Sequence, residues 1–259
     1  MWENFEQNPV TLYPWSNGQE MDTVRLTAAS MLGCGDNELA LVPSTTVALN
    51  DIGEGLVTTG FLRPGDSVLT TDSEHGGGLA VWLHWQAAKV VDRIDTVAMP
   101  GPDATLDDLV ARFKAALDPS TNGGVSYRVV AVSHVLTTTG LRLPLPEIAE
   151  LAHAAGALFV VDGAQAPGGI AVNLTATGAD AYTVSAHKWL LAPTGSGLLY
   201  VRGGALGTMF DGVTAQVVAP VYLDGGYQAY SQSSGTIPVQ VFTCTRTHMD
   251  LGHHAFLLL

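Results

Sequence analysis

Residues Pro146-Glu147-Ile148-Ala149-Glu150-Leu151-Ala152-His153-Ala154-Ala155-Gly156-Ala157-Leu158-Phe159-Val160-Val161 decide the fold, because the apolar period changes inside them. Ile148, Leu151, Ala152 and Ala155 recur at i, i+3, i+4 and i+7, which is one face of a helix over 146–155. Pro146 suits an early helical position, where a missing N–H costs nothing, and Gly156 suits a C-terminal cap. The run from Ala157 to Val161 is wholly apolar, as a strand covered on both faces must be. Upstream the pair recurs: a helix over 104–117 carries Leu106, Leu109, Val110 and Phe113, and a buried strand over 129–132 follows. Further strands are expected over 67–71, 181–184 and 197–201. Helices alternating with doubly buried strands predict an α/β fold, with three α/β/α layers around a mostly parallel sheet.

The chain has 259 residues, with 11 Lys and Arg against 24 Asp and Glu, giving a formal charge of −13. Apolar residues at 47% supply a core, and charged residues stay at 14%, so the composition is not that of a disordered chain. An acidic chain lacks the clustered Lys and Arg that nucleic acid or anionic lipid requires, and neither partner is expected. Cys34 and Cys244 show no CxxC or Cys/His metal spacing and read as free thiols of a reducing compartment. Met1-Trp2-Glu3-Asn4-Phe5 has no basic or apolar leader pattern, and no apolar run is long enough for a bilayer. A soluble cytoplasmic protein is therefore expected. Past residue 241 the pattern is lost, and residues 242–259 read as an irregular tail.

In open parallel sheets, ligands sit beyond the carboxyl ends of the strands. Four polar clusters fall at such places. Pro43-Ser44-Thr45-Thr46 follows the apolar Leu39-Ala40-Leu41-Val42 and opens a helix toward Leu56. Its hydroxyls and free N–H groups suit a phosphate, although read alone the segment is a plain helix N-cap. Thr71-Asp72-Ser73-Glu74-His75 follows the strand over 67–71, and its histidine alone reads as structural. Asp162, directly after Val160-Val161, is an acid at the end of a buried strand and needs a cation or a donor; its other reading is a helix cap. Ser185-Ala186-His187-Lys188-Trp189 holds one of only three lysines, and Lys89 and Lys114 read as solvated helix positions. A lysine among small and aromatic residues at a strand end suits a nucleophile or Schiff base. A phosphate cradle, a strand-end acid and a Schiff-base lysine together describe a pyridoxal 5′-phosphate (PLP) site.

Val161-Asp162-Gly163-Ala164-Gln165, followed by Ser185-Ala186-His187-Lys188-Trp189, resembles the central signature of the class V aminotransferases, fold-type I PLP enzymes that include the cysteine desulfurases. The resemblance runs from about Asn8 to Thr236 and implies a PLP-binding large domain over 8–241, short at both ends and without the family's small C-terminal domain. It implies that Lys188 forms the internal aldimine, Asp162 pairs with the pyridine nitrogen and Gln165 bonds the ring's 3-oxygen. His75 matches the imidazole stacked on the ring, Thr45 and Thr46 match the phosphate pair, and Ser185 and His187 add phosphate contacts. Ser234-Gly235-Thr236 resembles an element that reaches the phosphate of a neighbouring subunit, which implies a homodimer with Thr236 as a cofactor ligand.

The stretch Ser133-His134-Val135-Leu136-Thr137-Thr138-Thr139-Gly140 is more similar to the isopenicillin N epimerase-like branch, which also contains C–S lyases, than to desulfurases, as is Glu6-Gln7-Asn8-Pro9-Val10. The implied activity is PLP chemistry at Cα or Cβ of an amino-acid-like substrate, of lyase or epimerase type, with Lys188, His75 and Asp162 catalytic. Two alternatives are a desulfurase or aminotransferase, and a catalytically impaired PLP-fold fragment. A metal-dependent hydrolase using His75, His134 and His187 finds no HxH or HExxH pairing, and no metal is expected.

Overall fold

The computed structural model describes residues 19–101 and 105–203, with residues 19–22 given by their backbone alone. Glu6–Val10, Thr236 and its neighbours, Cys244 and the tail 242–259 lie outside the described residues. In chain order the elements are α1 (Gln19–Leu32), β1 (Leu39–Val42), α2 (Thr45–Thr58), β2 (Asp66–Thr71), α3 (Gly76–Ala87), β3 (Val91–Val97) and α4 (Leu106–Leu117). They continue as β4 (Tyr127–Ser133), α5 (Leu145–Ala154), β5 (Leu158–Asp162), a 3-10 turn (Thr175–Thr177), β6 (Ala181–Ser185) and β7 (Gly197–Val201).

The deciding stretch folds as its period requires. Helix α5 has Pro146 in its first turn, and its buried side includes Ile148, Ala149 and Ala152. It starts one residue before the expected boundary. Helix α4 starts two residues late, at Leu106, because Thr105 caps it. The Thr105 hydroxyl accepts from the Asp108 N–H at 3.2 Å, and the Asp108 carboxylate accepts from the Thr105 N–H at 2.8 Å. Such a reciprocal box closes the first turn and leaves no reason to extend it backward.

The seven strands lie in the order β1-β7-β6-β5-β4-β2-β3. Pairs β2–β3, β2–β4, β4–β5 and β5–β6 are parallel, while β7 is antiparallel to both neighbours. Helices α1, α4 and α5 bury one face on Leu69, Val130, Val132, Phe159 and Val161. Helices α2 and α3 bury the other on Val68, Val129, Ala131, Leu158 and Val160. Alternate residues of each central strand thus enter opposite cores, which is why these strands read as unbroken apolar runs. The layers are α/β/α.

From β2 the chain moves outward to β3, whereas from β4 it moves the other way to β5 and β6. Strands β2 and β4 are neighbours whose connections diverge, the place beyond whose carboxyl ends open α/β sheets hold a ligand crevice. Glu74 and His75 follow β2, and His134 follows β4. Among the described residues no helix is long and apolar enough to cross a membrane.

Candidate active site

Two helix N-termini meet at one side of this crevice. Ser44 caps α2, its hydroxyl accepting from the Val47 N–H at 3.2 Å. The Thr45 hydroxyl is buried and bonded to the Ser185 hydroxyl at 3.0 Å, tying the start of α2 to the end of β6. Thr46 is exposed. A Cβ added to Gly77 would stand 3.6 Å from Thr46 Oγ1, so the first turns of α2 and α3 lie against each other. The first N–H groups of a helix have no partner within it and carry the positive end of its dipole. Two such ends beside one exposed hydroxyl suit a phosphate. His187 holds the adjoining turn in place, its Nδ1 3.1 Å from the Ser196 carbonyl.

Asp162 ends β5. Its Oδ1 accepts from the Ala164 N–H at 2.9 Å, and Oδ2 has no hydrogen-bond partner among the described residues. Helix α3 comes so close that a Cβ on Gly78 would lie 2.9 Å from Oδ2. Burial raises the Asp162 pKa above its ordinary value, opposed by the Ala164 N–H and by the charges of Lys188 and His75. A desolvated acid with one open oxygen calls for a cationic N–H donor. The pyridinium nitrogen of PLP is such a donor, and the paired helix ends suit its phosphate, so these residues fit that group.

Lys188 sits in the turn after β6, its N–H donating to the Ser185 carbonyl at 3.1 Å. It is half-buried, and its Nζ has no hydrogen bond or ion pair among the described residues. The turn packs on Gly168, where φ is +92° and a Cβ would meet the Trp189 carbonyl oxygen at 2.3 Å; only glycine fits there. The Trp189 indole N–H donates to Gln165 Oε1 at 2.8 Å. That bond orients the amide and leaves Gln165 Nε2 facing Thr137 Oγ1 at 3.5 Å. His75 caps α3, its Nδ1 accepting from the Gly77 N–H at 3.0 Å, so the neutral ring carries its proton on Nε2.

The structure thus gathers Thr45, Thr46, His75, Asp162, Gln165, Ser185, His187 and Lys188 at the carboxyl ends of the central strands. The hydroxyls of Thr45 and Ser185 face each other, so Thr46 is the exposed hydroxyl of the pair. Two residues of this region have no expected role in the sequence. Glu74 turns inward and accepts hydrogen bonds from Thr71 at 2.6 Å and from Ser133. Tyr182 lies beneath Gly163, where a Cβ would be 1.9 Å from its ring, and its hydroxyl is 2.7 Å from His134 Nδ1. An acid directly before the crevice histidine was the available signal for Glu74. A tyrosine within an apolar strand gave none.

The three histidines considered for a metal are engaged separately: His75 caps a helix, His134 bonds Tyr182 and His187 approaches Ser196. Among the described residues no group of three or more His, Cys, Asp or Glu is placed to hold a metal ion. Burial and the nearby Glu38 and Asp36 push the Cys34 thiol up to about 11, which leaves it protonated and unreactive at neutral pH.

The family model described as Aminotransferase class-V matches residues 10–248. An isopenicillin N epimerase of Amycolatopsis lactamdurans is 35% identical over 192 residues, which are 71% of this chain and 45% of that relative. A cysteine desulfurase of Serratia proteamaculans is 34% identical over 193 residues, 74% of this chain and 44% of that one. Among solved structures, a mutant of C-DES with glycine covalently linked to its PLP cofactor aligns with a TM-score of 0.66 and 25% identity, over 80% of this chain and 52% of that chain. The chain therefore spans about half the length of the relatives it matches. It belongs to the class V aminotransferase family, and its cofactor is pyridoxal 5′-phosphate.

Proposed function

We propose that the chain is the cofactor-binding part of an enzyme acting at Cα or Cβ of an amino-acid substrate, as a C–S lyase or an epimerase. One observation carries the reading: Asp162 ends β5 with Oδ2 unpartnered among the described residues, its carboxyl feels the charge of Lys188 in the turn after β6, and helix α3 begins against it. Bound PLP supplies an electron-withdrawing ring at the substrate Cα. Lys188 would hold the cofactor through its amine, and the same amine would serve as the base at the substrate Cα. Asp162 holds the proton of the ring nitrogen. Gln165, oriented by Trp189, offers Nε2 to the 3-oxygen, and the exposed His75 ring covers one face. Elimination expels a sulfur group from Cβ, whereas epimerisation returns the proton to the opposite face. The proposal includes a homodimer, on the resemblance of Ser234-Gly235-Thr236 to an element shared between subunits.

The test is chemical. Borohydride treatment of the PLP-loaded chain, followed by digestion and mass spectrometry, is expected to place the reduced adduct on Lys188 and none on a Lys188→Ala variant. An adduct on Lys89 or Lys114 would sink the assignment. Pyruvate from cystine or cysteine sulfoxides marks a lyase, and deuterium uptake at Cα without pyruvate marks an epimerase. A Lys188 adduct with neither product would favour a second reading, a PLP-binding chain without turnover.

A further inference from the structure

Trp189 is 55% exposed, so core packing does not account for an indole at this position. Its ring lies on the turn after β5, where a Cβ on Gly169 would stand 3.5 Å from Trp189 Cγ. Any aromatic ring would cover that glycine. What an indole adds is an N–H that can only donate, and its proton goes to Gln165 Oε1 at 2.8 Å. The bond settles the direction of the amide. Turned over, Gln165 would set Nε2 against the indole N–H, donor against donor, and leave both unpaired. Nε2 therefore points away from the indole, toward Thr137 Oγ1 at 3.5 Å, the outer limit of a hydrogen bond. Its protons remain available to an acceptor beyond the strand ends.

The backbone that carries the indole is fixed as well. The Lys188 N–H donates to the Ser185 carbonyl and the Leu191 N–H to the Lys188 carbonyl, both at 3.1 Å. The Ala192 N–H donates to the Ala186 carbonyl at 3.0 Å. This turn places Leu191 at φ +57°, left-handed backbone that leucine rarely adopts, with the side chain 88% exposed. Such a conformation persists only where the surroundings over-determine it. The residue after Lys188 thus brings a fixed N–H to the turn after Asp162.

We propose that Trp189 is a positioning residue that sets the ionisation of the bound cofactor: by holding Gln165 with Nε2 outward, it keeps a donor, and not a carbonyl, against the ring's 3-oxygen. The inference rests on Gln165 meeting that oxygen, as in the proposed function. A donor favours the ionised oxygen and lowers the pH at which the bound cofactor loses a proton, whereas a carbonyl in its place raises that pH.

The test is the absorbance of the PLP-loaded chain, followed as pH is raised. Trp189→Phe keeps a ring on Gly169 and removes the N–H. The pH midpoint of its absorbance change is expected to rise by about one unit, about a tenfold change in proton affinity. In a Gln165→Ala background the same substitution is expected to move the midpoint no further. A merely structural role, or a displacement of Lys188, would move it in both backgrounds. Gln165→Glu gives the indole its acceptor and offers an oxygen where Nε2 stood. At least the same rise is expected from it, and it carries the test should Trp189→Phe fail to fold. An unmoved midpoint in Trp189→Phe, no rise in Gln165→Glu, or a full shift retained beside Gln165→Ala overturns the proposal. If Gln165→Ala alone leaves the midpoint in place, the contact of Gln165 with the 3-oxygen has failed, and the proposal with it. If Gln165→Ala raises the midpoint and Trp189→Phe does not, the proposal alone has failed.

Discussion

His134 follows β4, is only 3% exposed, and meets the Tyr182 hydroxyl through Nδ1 at 2.7 Å. Burial first, and the Arg142 charge second, pull its pKa down to about 4. At neutral pH the imidazole is therefore uncharged, and Tyr182 donates to it. The unfolded chain protonates this histidine near 6.5, whereas the folded chain resists until about 4. Stability present above 6.5 is thus lost as pH falls through that window, on the order of 3 kcal/mol at most. We expect urea melts between pH 7 and pH 4 to show a smaller acid loss in His134→Asn, which keeps an acceptor but no titratable proton. Parallel curves for the two proteins would mean that His134 titrates normally. The bond also fixes the ring that supports Gly163, and with it the turn after Asp162.

Helix α3 opens with Gly76-Gly77-Gly78, a poor start by propensity and a necessary one by geometry. Alanine at position 78 would favour the helix by about 0.5 kcal/mol or more, yet its Cβ would press on Asp162 Oδ2. Gly78→Ala is expected to leave the apoprotein's melting temperature unchanged or higher while weakening PLP binding about tenfold, a split that separates site geometry from fold stability. An equal loss of both would mean that the close approach serves packing instead. The same glycines explain why α3 was not legible from sequence, since no helical period survives three of them. Strand β3 was missed for the opposite reason. It lies at the sheet edge, and its polar Asp92, Arg93 and Asp95 break the apolar run that marks a central strand. Strands β4, β5, β6 and β7 were legible because both faces are buried, so packing and composition say the same thing. Of the site, the signature around Asp162 and Lys188 could be read directly. The inward turn of Glu74 and the Tyr182–His134 bond could not, because each depends on which strands become neighbours.

At the scale of the molecule, the sheet order separates what the sequence joins. Strand β1 lies at one edge beside β7, while β2, the next strand in the chain, lies near the other edge. Helix α2 spans that gap across β7 and β6, and its first turn is half of the proposed phosphate seat. On the proposed reading, the phosphate would be held by local backbone N–H groups and hydroxyls, with the net charge of −13 taking no part.

The bond between the Thr45 and Ser185 hydroxyls closes a loop of 140 residues. Contacts of such separation form late, because loop-closure entropy must be overcome before they contribute. Helices and the inner parallel pairs can therefore assemble while the phosphate seat is still open. In stopped-flow refolding with PLP present, far-UV circular dichroism should recover in an earlier phase than the cofactor's absorbance. Recovery of both signals in a single shared phase would contradict this order. Cofactor capture would then time the last long-range closure of the chain, and a chain stalled before β6 would be helical yet colourless.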